Sequence, residues 1–160
     1  MKIRLEKVED HEAIDVLLRQ AFTGNENELV MKIRASSDWI PELTFVAETE
    51  GKVVGHIMAS RCVLDDIPMI ALAPLAVLPA YQSQGIGHLL VDEMIEQAKH
   101  RVEPGIIVLG HPAYYAKFGF EVASQYGVAA PFDCPEEAYR VKWTGKTRLS
   151  GVVSYNSAFD

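Results

Sequence analysis

The run Met69-Ile70-Ala71-Leu72-Ala73-Pro74-Leu75-Ala76-Val77 constrains the fold more than any other part of the chain. A strand with one wet face alternates polar and apolar residues, whereas a run apolar at both parities is covered on both faces. This segment is therefore expected to be a central strand with helices layered over the sheet. Pro74 interrupts it, and because proline cannot donate to a ladder, a bulge is expected there, with the strand splaying from one neighbour.

The flanking segments supply the layers. Ile3-Arg4-Leu5 reads as a short first strand. Ile14, Leu17, Leu18 and Phe22 recur at helical spacing after the start signal Glu9-Asp10. Gly24-Asn25 breaks that helix, and Leu29, Val30 and Ile33 mark a second one ending near 35–38. Residues 43–49 and 53–64 read as a hairpin about the turn Glu50-Gly51-Lys52, and Asp65-Asp66-Ile67-Pro68 as a second turn. A helix over about 87–100, with Leu89, Leu90, Met94, Ile95 and Ala98 as its apolar stripe, connects the central run to a second buried strand, Ile106 to Leu109. Strand, helix, strand in that order predicts a parallel pair. A short helix over 112–118 follows, then strands near 121–129 and 151–155.

At 160 residues, a single domain over 1–160 is expected. Lys plus Arg number 15 against 22 Asp plus Glu, a net charge of −7, with no basic stripe. Nucleic-acid binding is disfavoured, because it needs a positive footprint, whereas an acidic surface attracts cationic partners such as amines. No apolar run is long enough to span a bilayer. Cys62 and Cys134 form no CxxC and have no histidine at ligand spacing, so neither a metal site nor a disulfide is expected, and a reduced cytoplasmic setting fits. Cys62 reads as structural rather than as a nucleophile.

The chemistry is expected where the central strand ends. In Val77-Leu78-Pro79-Ala80-Tyr81-Gln82-Ser83-Gln84-Gly85-Ile86-Gly87-His88, a buried strand runs into a glycine-bearing loop and a helix start. Such a helix start binds anions through its free N–H groups and its dipole. A dinucleotide fingerprint needs a third glycine where Leu90 stands, and a Walker loop needs Lys where His88 stands. The pattern that remains is Gln82-x-x-Gly85-x-Gly87.

This pattern resembles the acetyl-CoA loop of the GNAT superfamily of N-acetyltransferases, Arg/Gln-x-x-Gly-x-Gly/Ala. Tyr114-Tyr115-Ala116-Lys117-Phe118-Gly119-Phe120 resembles the family's aromatic-Tyr-x-x-x-Gly-Phe segment, in the right order and spacing. The resemblance runs from Ile3 to about Phe120, and the tail from about residue 130 departs from it. It implies a mixed α/β fold (α+β), a mostly antiparallel sheet with a central splayed parallel pair and helices on both faces.

It also implies acetyl-CoA as co-substrate, held by Leu75, Ala76, Val77, Gln82, Ser83, Gln84, Gly85, Ile86, Gly87 and His88. The acetyl group would pass directly to an amine, with Tyr115 as general acid and a main-chain N–H near Val77 polarising the carbonyl. Glu28, His56 and His111 stand as candidate bases; in strands and on helix faces such residues are more often packed or solvated. A homodimer is compatible. A non-catalytic acyl-CoA-binding module on the same fold is the alternative, since a fold does not fix an activity.

Overall fold

The computed structural model describes residues 1–160. Its first four strands are β1 (Lys2–Leu5), β2 (Phe45–Thr49), β3 (Lys52–Leu64) and β4 (Ile67–Val77), each antiparallel to the next. Both hairpin turns use two residues in the left-handed region, Glu50 and Gly51 in one, Asp65 and Asp66 in the other. Such turns match the twist of paired strands. The second is tighter than the sequence suggests, so β4 begins at Ile67, with Pro68 already paired to Val63.

β4 pairs in parallel with β5 (Gly105–Leu109) through only two registered pairs, Ile70 with Ile106 and Ala71 with Ile107. On its other side β4 bulges as expected. Ile57 faces Leu75 and Ala59 faces Leu72, so Ala73 and Pro74 share Met58 as their opposite residue. From Leu72 onward β4 has no registered partner on the β5 side.

The helices lie on both faces. Those of the first pair are α1 (His11–Ala21), burying Ile14, Leu17 and Leu18, and α2 (Glu26–Ala35), burying Val30 and Ile33. α3 (Ile86–Ala98) connects β4 to β5 and buries Leu90, Val91, Met94, Ile95 and Ala98. Leu89, in the stripe by simple spacing, is 45% exposed, being one step off the face defined by Ile86, Leu90 and Met94. Two neighbours on β3 show the sidedness. A Cβ on Gly55 would stand 3.0 Å from Ile86 and Leu90 of α3, whereas the His56 ring reaches the opposite layer, beneath α2.

After α4 (Pro112–Ala116), the expected strand over 121–129 is instead β6 (Glu121–Val122) and β7 (Val128–Ala129), separated by a 3-10 turn and by Gly127 at φ +72°. A strand absent from the sequence expectation, β8 (Tyr139–Trp143), pairs antiparallel along the whole of β5. Its alternation is plain in hindsight, with Tyr139, Val141 and Trp143 inward and Arg140 and Lys142 outward. β9 (Gly151–Ser154) pairs with the far end of β3 and, in parallel, with β7. The order is β1-β2-β3-β4-β5-β8-β6. The tail thereby builds a second, smaller core around Cys62, Met69, Ile107, Val141 and Trp143. No helix is long and apolar enough to cross a membrane.

Gly55 is the point where β3 and α3 come closest, and larger side chains there overpack the core. Gly55→Val is expected to lower unfolding stability by ~1–3 kcal/mol in urea titrations monitored by circular dichroism. An unchanged midpoint would show that α3 moves away freely.

Candidate functional site

Beyond Val77 the chain makes a 3-10 turn at Pro79–Tyr81, and the Gln82 amide Nε2 donates back to the Val77 carbonyl at 3.0 Å, closing the loop on the strand end. Ser83 (φ +64°) and Gly85 (φ +84°) then turn the backbone through the left-handed region into α3. For Ser83 that conformation is strained, and such strain concentrates at working sites. Gly85, as N-cap, offers no side chain, and no acidic residue lies in the first turn. The N–H groups that open α3 and the positive end of its dipole are left uncompensated by the protein.

This helix start forms one wall of a cleft of about 740 Å3. Leu75 and Val77 of β4 floor it, and Gly110, His111, Tyr114, Tyr115 and Lys117 close the opposite side. Two glycines allow that closure. A Cβ on Gly87 would lie 2.7 Å from the Tyr114 hydroxyl, and one on Gly110 would collide with the Tyr115 ring. Tyr115 is 8% exposed, edge-on to Tyr114 at 5.1 Å and to Phe120 at 5.6 Å. Burial, with Tyr114 adding a little, pushes its pKa well above the usual phenol value. The phenol is therefore fully protonated at neutral pH. His88 packs on Phe118 at 4.6 Å and its Nε2 lies 3.1 Å from Asp92.

Of the ten residues expected to hold a cofactor, the cleft gathers Leu75, Val77, Gln82, Ser83, Gly85, Ile86, Gly87 and His88. Ala76 is buried and registers with His56, on the face turned away from the cleft, as strand alternation requires. Gln84 is exposed outside the lining. Tyr115 and His111 line the cleft together; Glu28 is exposed on α2 and does not. Tyr81, Gly110, Tyr114 and Lys117 line it as well, without a role assigned from the sequence. Tyr114 and Lys117 were legible as one helical face, three residues apart, and the Lys117 ammonium sits 5.7 Å from the Tyr114 ring.

His56 lies outside the cleft, fully buried in a charged cluster beneath α1 and α2. Its Nε2 donates to Glu6 Oε1 at 2.8 Å, and Arg34 spans the same carboxylate, its Nε donating to Oε2 at 2.8 Å and its Nη2 to Oε1 at 3.0 Å. Nδ1 of His56 is buried with no partner. Burial would raise the Glu6 pKa, but the His56 and Arg34 hydrogen bonds outweigh it and bring the carboxyl to about 2. Burial lowers the His56 pKa despite the Glu6 contact that opposes the change. Cys62 is 1% exposed, and burial pushes its thiol up to about 12. No group of three His, Cys, Asp or Glu side chains is arranged to hold a metal ion.

An acetyltransferase (GNAT) domain family matches residues 41–122, more than half of the chain. The chain is 33% identical to the uncharacterized N-acetyltransferase YhbS of Escherichia coli (strain K12), over all of this chain and 99% of that one. The chain belongs to the GNAT acetyltransferase family. A second GNAT relative is the uncharacterized N-acetyltransferase YjhQ of the same strain, 39% identical over 71% of this chain and 66% of its own. Among solved GNAT structures, YhbS from Escherichia coli in complex with CoA superposes with a TM-score of 0.91 at 30% identity, covering 99% of this chain and 91% of that one. A GNAT acetyltransferase from Brucella melitensis in complex with acetyl-CoA superposes at 0.82, also at 30% identity, covering 99% and 97%. The GNAT fold expected from the sequence is the fold observed, with β4 and β5 as its parallel pair.

The cluster around His56 gives this GNAT protein a pH signature. Below the usual histidine value of 6.5 the unfolded chain takes up a proton that the folded His56 refuses. Below the usual glutamate value of 4.5 the same holds for Glu6, down to about 2. More protons on the unfolded chain mean that stability falls as pH falls. The melting temperature is expected to be level above pH 7 and to drop progressively below 6.5. His56→Gln should flatten the part of that slope between pH 6.5 and 5, as read by calorimetry; an unaltered slope would move its origin elsewhere.

Proposed function

We propose that this acetyl-CoA-dependent N-acetyltransferase moves the acetyl group straight to a primary amine of its acceptor, with no acyl-enzyme stage. The observation that carries this reading is the meeting, in one cleft, of an uncapped helix start, an unpaired strand edge and a protonated buried phenol. The N–H groups opening α3 suit a pyrophosphate, and Lys117 adds a cation to the opposite wall. The β4 edge past Ala71 has main-chain groups without a strand partner, which suit the amides of a pantetheine arm. A main-chain N–H near Val77 would then polarise the thioester carbonyl.

Direct attack is supported by what the cleft lacks. Neither thiol lines it, and Cys62 is held as a neutral thiol by burial. Tyr115 serves the departing sulfur. Its raised pKa makes it a weaker acid than a thiol of ~8.5, so it offers a hydrogen bond and yields its proton only as the amine's proton is returned to the site. Of the three candidate bases, His111, at the start of α4, is the one that lines the cleft with Tyr115.

Tyr115→Phe is expected to lower kcat roughly 100-fold while leaving the acetyl-CoA Kd within twofold, as measured by CoA release and by calorimetry. Equal turnover in the variant would remove Tyr115 from the reaction. Gly87→Val places branched carbons against the Tyr114 hydroxyl and over the helix start, and is expected to weaken acetyl-CoA binding at least tenfold with the fold intact by circular dichroism. Acetyl-CoA binding without release of CoA on any amine would instead mark the protein as a binding module.

A further inference from the structure

A second cavity, of about 180 Å3, follows the donor cleft along the same two strands. The cleft uses Leu75 and Val77 with Gly110 and His111; the cavity uses Leu72 and Ala73 of β4 with Leu109 of β5. The tail, which departs from the family pattern, roofs it with Phe132, Tyr155 and Phe159. These rings form a row: Phe132 and Tyr155 stack at 5.9 Å, and Tyr155 and Phe159 meet at 5.2 Å. All nine lining residues are hydrophobic, and the only side-chain polar atom among them, the Tyr155 hydroxyl, shares a hydrogen bond with the Tyr139 hydroxyl at 2.6 Å.

Resting on the amine-acetylation reading above, we infer that this cavity receives the apolar stem of the acceptor, and that the acceptor is a primary amine on an aliphatic or aromatic stem rather than a polyamine or an aminosugar. Three observations support this. The cavity continues along β4 and β5 beyond the cleft that the donor arm would fill, so the acceptor would reach the thioester from this end. Its volume, at roughly 30 Å3 per heavy atom, holds about six such atoms, twice what an acetyl group occupies. Its side chains offer one polar atom at most, the Tyr155 hydroxyl, to pair with extra ammonium or hydroxyl groups, whose burial unpaired is costly. Main-chain groups of the unpaired β4 edge are left to orient the single nitrogen.

The same walls address deprotonation. An ammonium taken out of water loses its proton more readily, so desolvation favours the neutral nucleophile and lightens the task left to His111, the sealed His56 and the exposed Glu28 lying outside the cleft. The nitrogen bonds to the carbonyl carbon, the C–S bond breaks, and the sulfur departs with the proton the amine gives up.

The test measures kcat/KM at saturating acetyl-CoA for n-propylamine to n-pentylamine, phenethylamine, spermidine and kanamycin. The expected result is a rise of about fourfold per added methylene and a preference of at least tenfold for phenethylamine over spermidine. Phe132→Ala and Phe159→Ala should flatten the chain-length dependence with the acetyl-CoA Kd unchanged; Phe132 is 46% exposed, so its removal spares the core. A flat series, a preference for spermidine or kanamycin, or a rate that instead climbs from acetyl-CoA to hexanoyl-CoA would overturn the inference. If no amine releases CoA, the acetyl-transfer reading fails, and calorimetry of phenethylamine with the CoA-loaded protein decides this one. Binding that Phe132→Ala abolishes sustains the cavity, and no binding refutes it.

Discussion

The separation of β4 from β5 after Ala71 is the constraint on which the rest of the structure depends. Two strands that stay parallel neighbours over two residue pairs only must leave main-chain donors and acceptors facing a gap. The gap is forced from the other side, where Ala73 and Pro74 together oppose Met58 and bend β4 out of register. A bulge there costs ladder bonds within the sheet and creates a slot with a polar edge and apolar walls. The cleft and the smaller apolar cavity both lie along β4 and β5.

The α3 start is the second fixed point, and it depends on the first. Leu78 N–H bonds Val54 O at 2.9 Å, so the strand end is held to β3, and Gln82 ties the loop back to Val77. Gly55 lets α3 lie close against β3, which sets its opening N–H groups over the mouth of the slot. On the donor-site reading proposed above, this helix start needs no side-chain charge from the loop itself. Backbone dipoles bind an anion without the desolvation cost of a buried ion.

The charged cluster around Glu6 has a different role. His56, one of the histidines marked from the sequence as a possible base, is held neutral under α1 and α2 by burial, against the pull of a carboxylate that Arg34 also grips. These contacts clamp β1, β3 and α2 together and keep His56 away from the cleft. A histidine in a strand cannot be assigned to one role or the other by its neighbours in sequence, because its function depends on which layer faces it.

Period and turn chemistry were enough to read most elements up to Phe120, the central apolar run, its bulge at Pro74 and the loop that opens α3, because each rests on interactions within a few residues. The tail resisted for a physical reason. β6 and β7 are two residues each and exist only because β8 and β9 stand beside them, and the alternation of Tyr139 to Trp143 acquires meaning only once β5 offers an edge. The sequence by itself determined the central strand, the helix that follows it and the glycine-bearing loop between them, since local backbone geometry dictates all three. Only the tertiary structure decided that His56 is sealed, that Tyr115 and His111 share a wall, and that Phe132, Tyr155 and Phe159 roof the far end of the splay. Those placements depend on contacts between residues far apart in the chain, which no local pattern encodes.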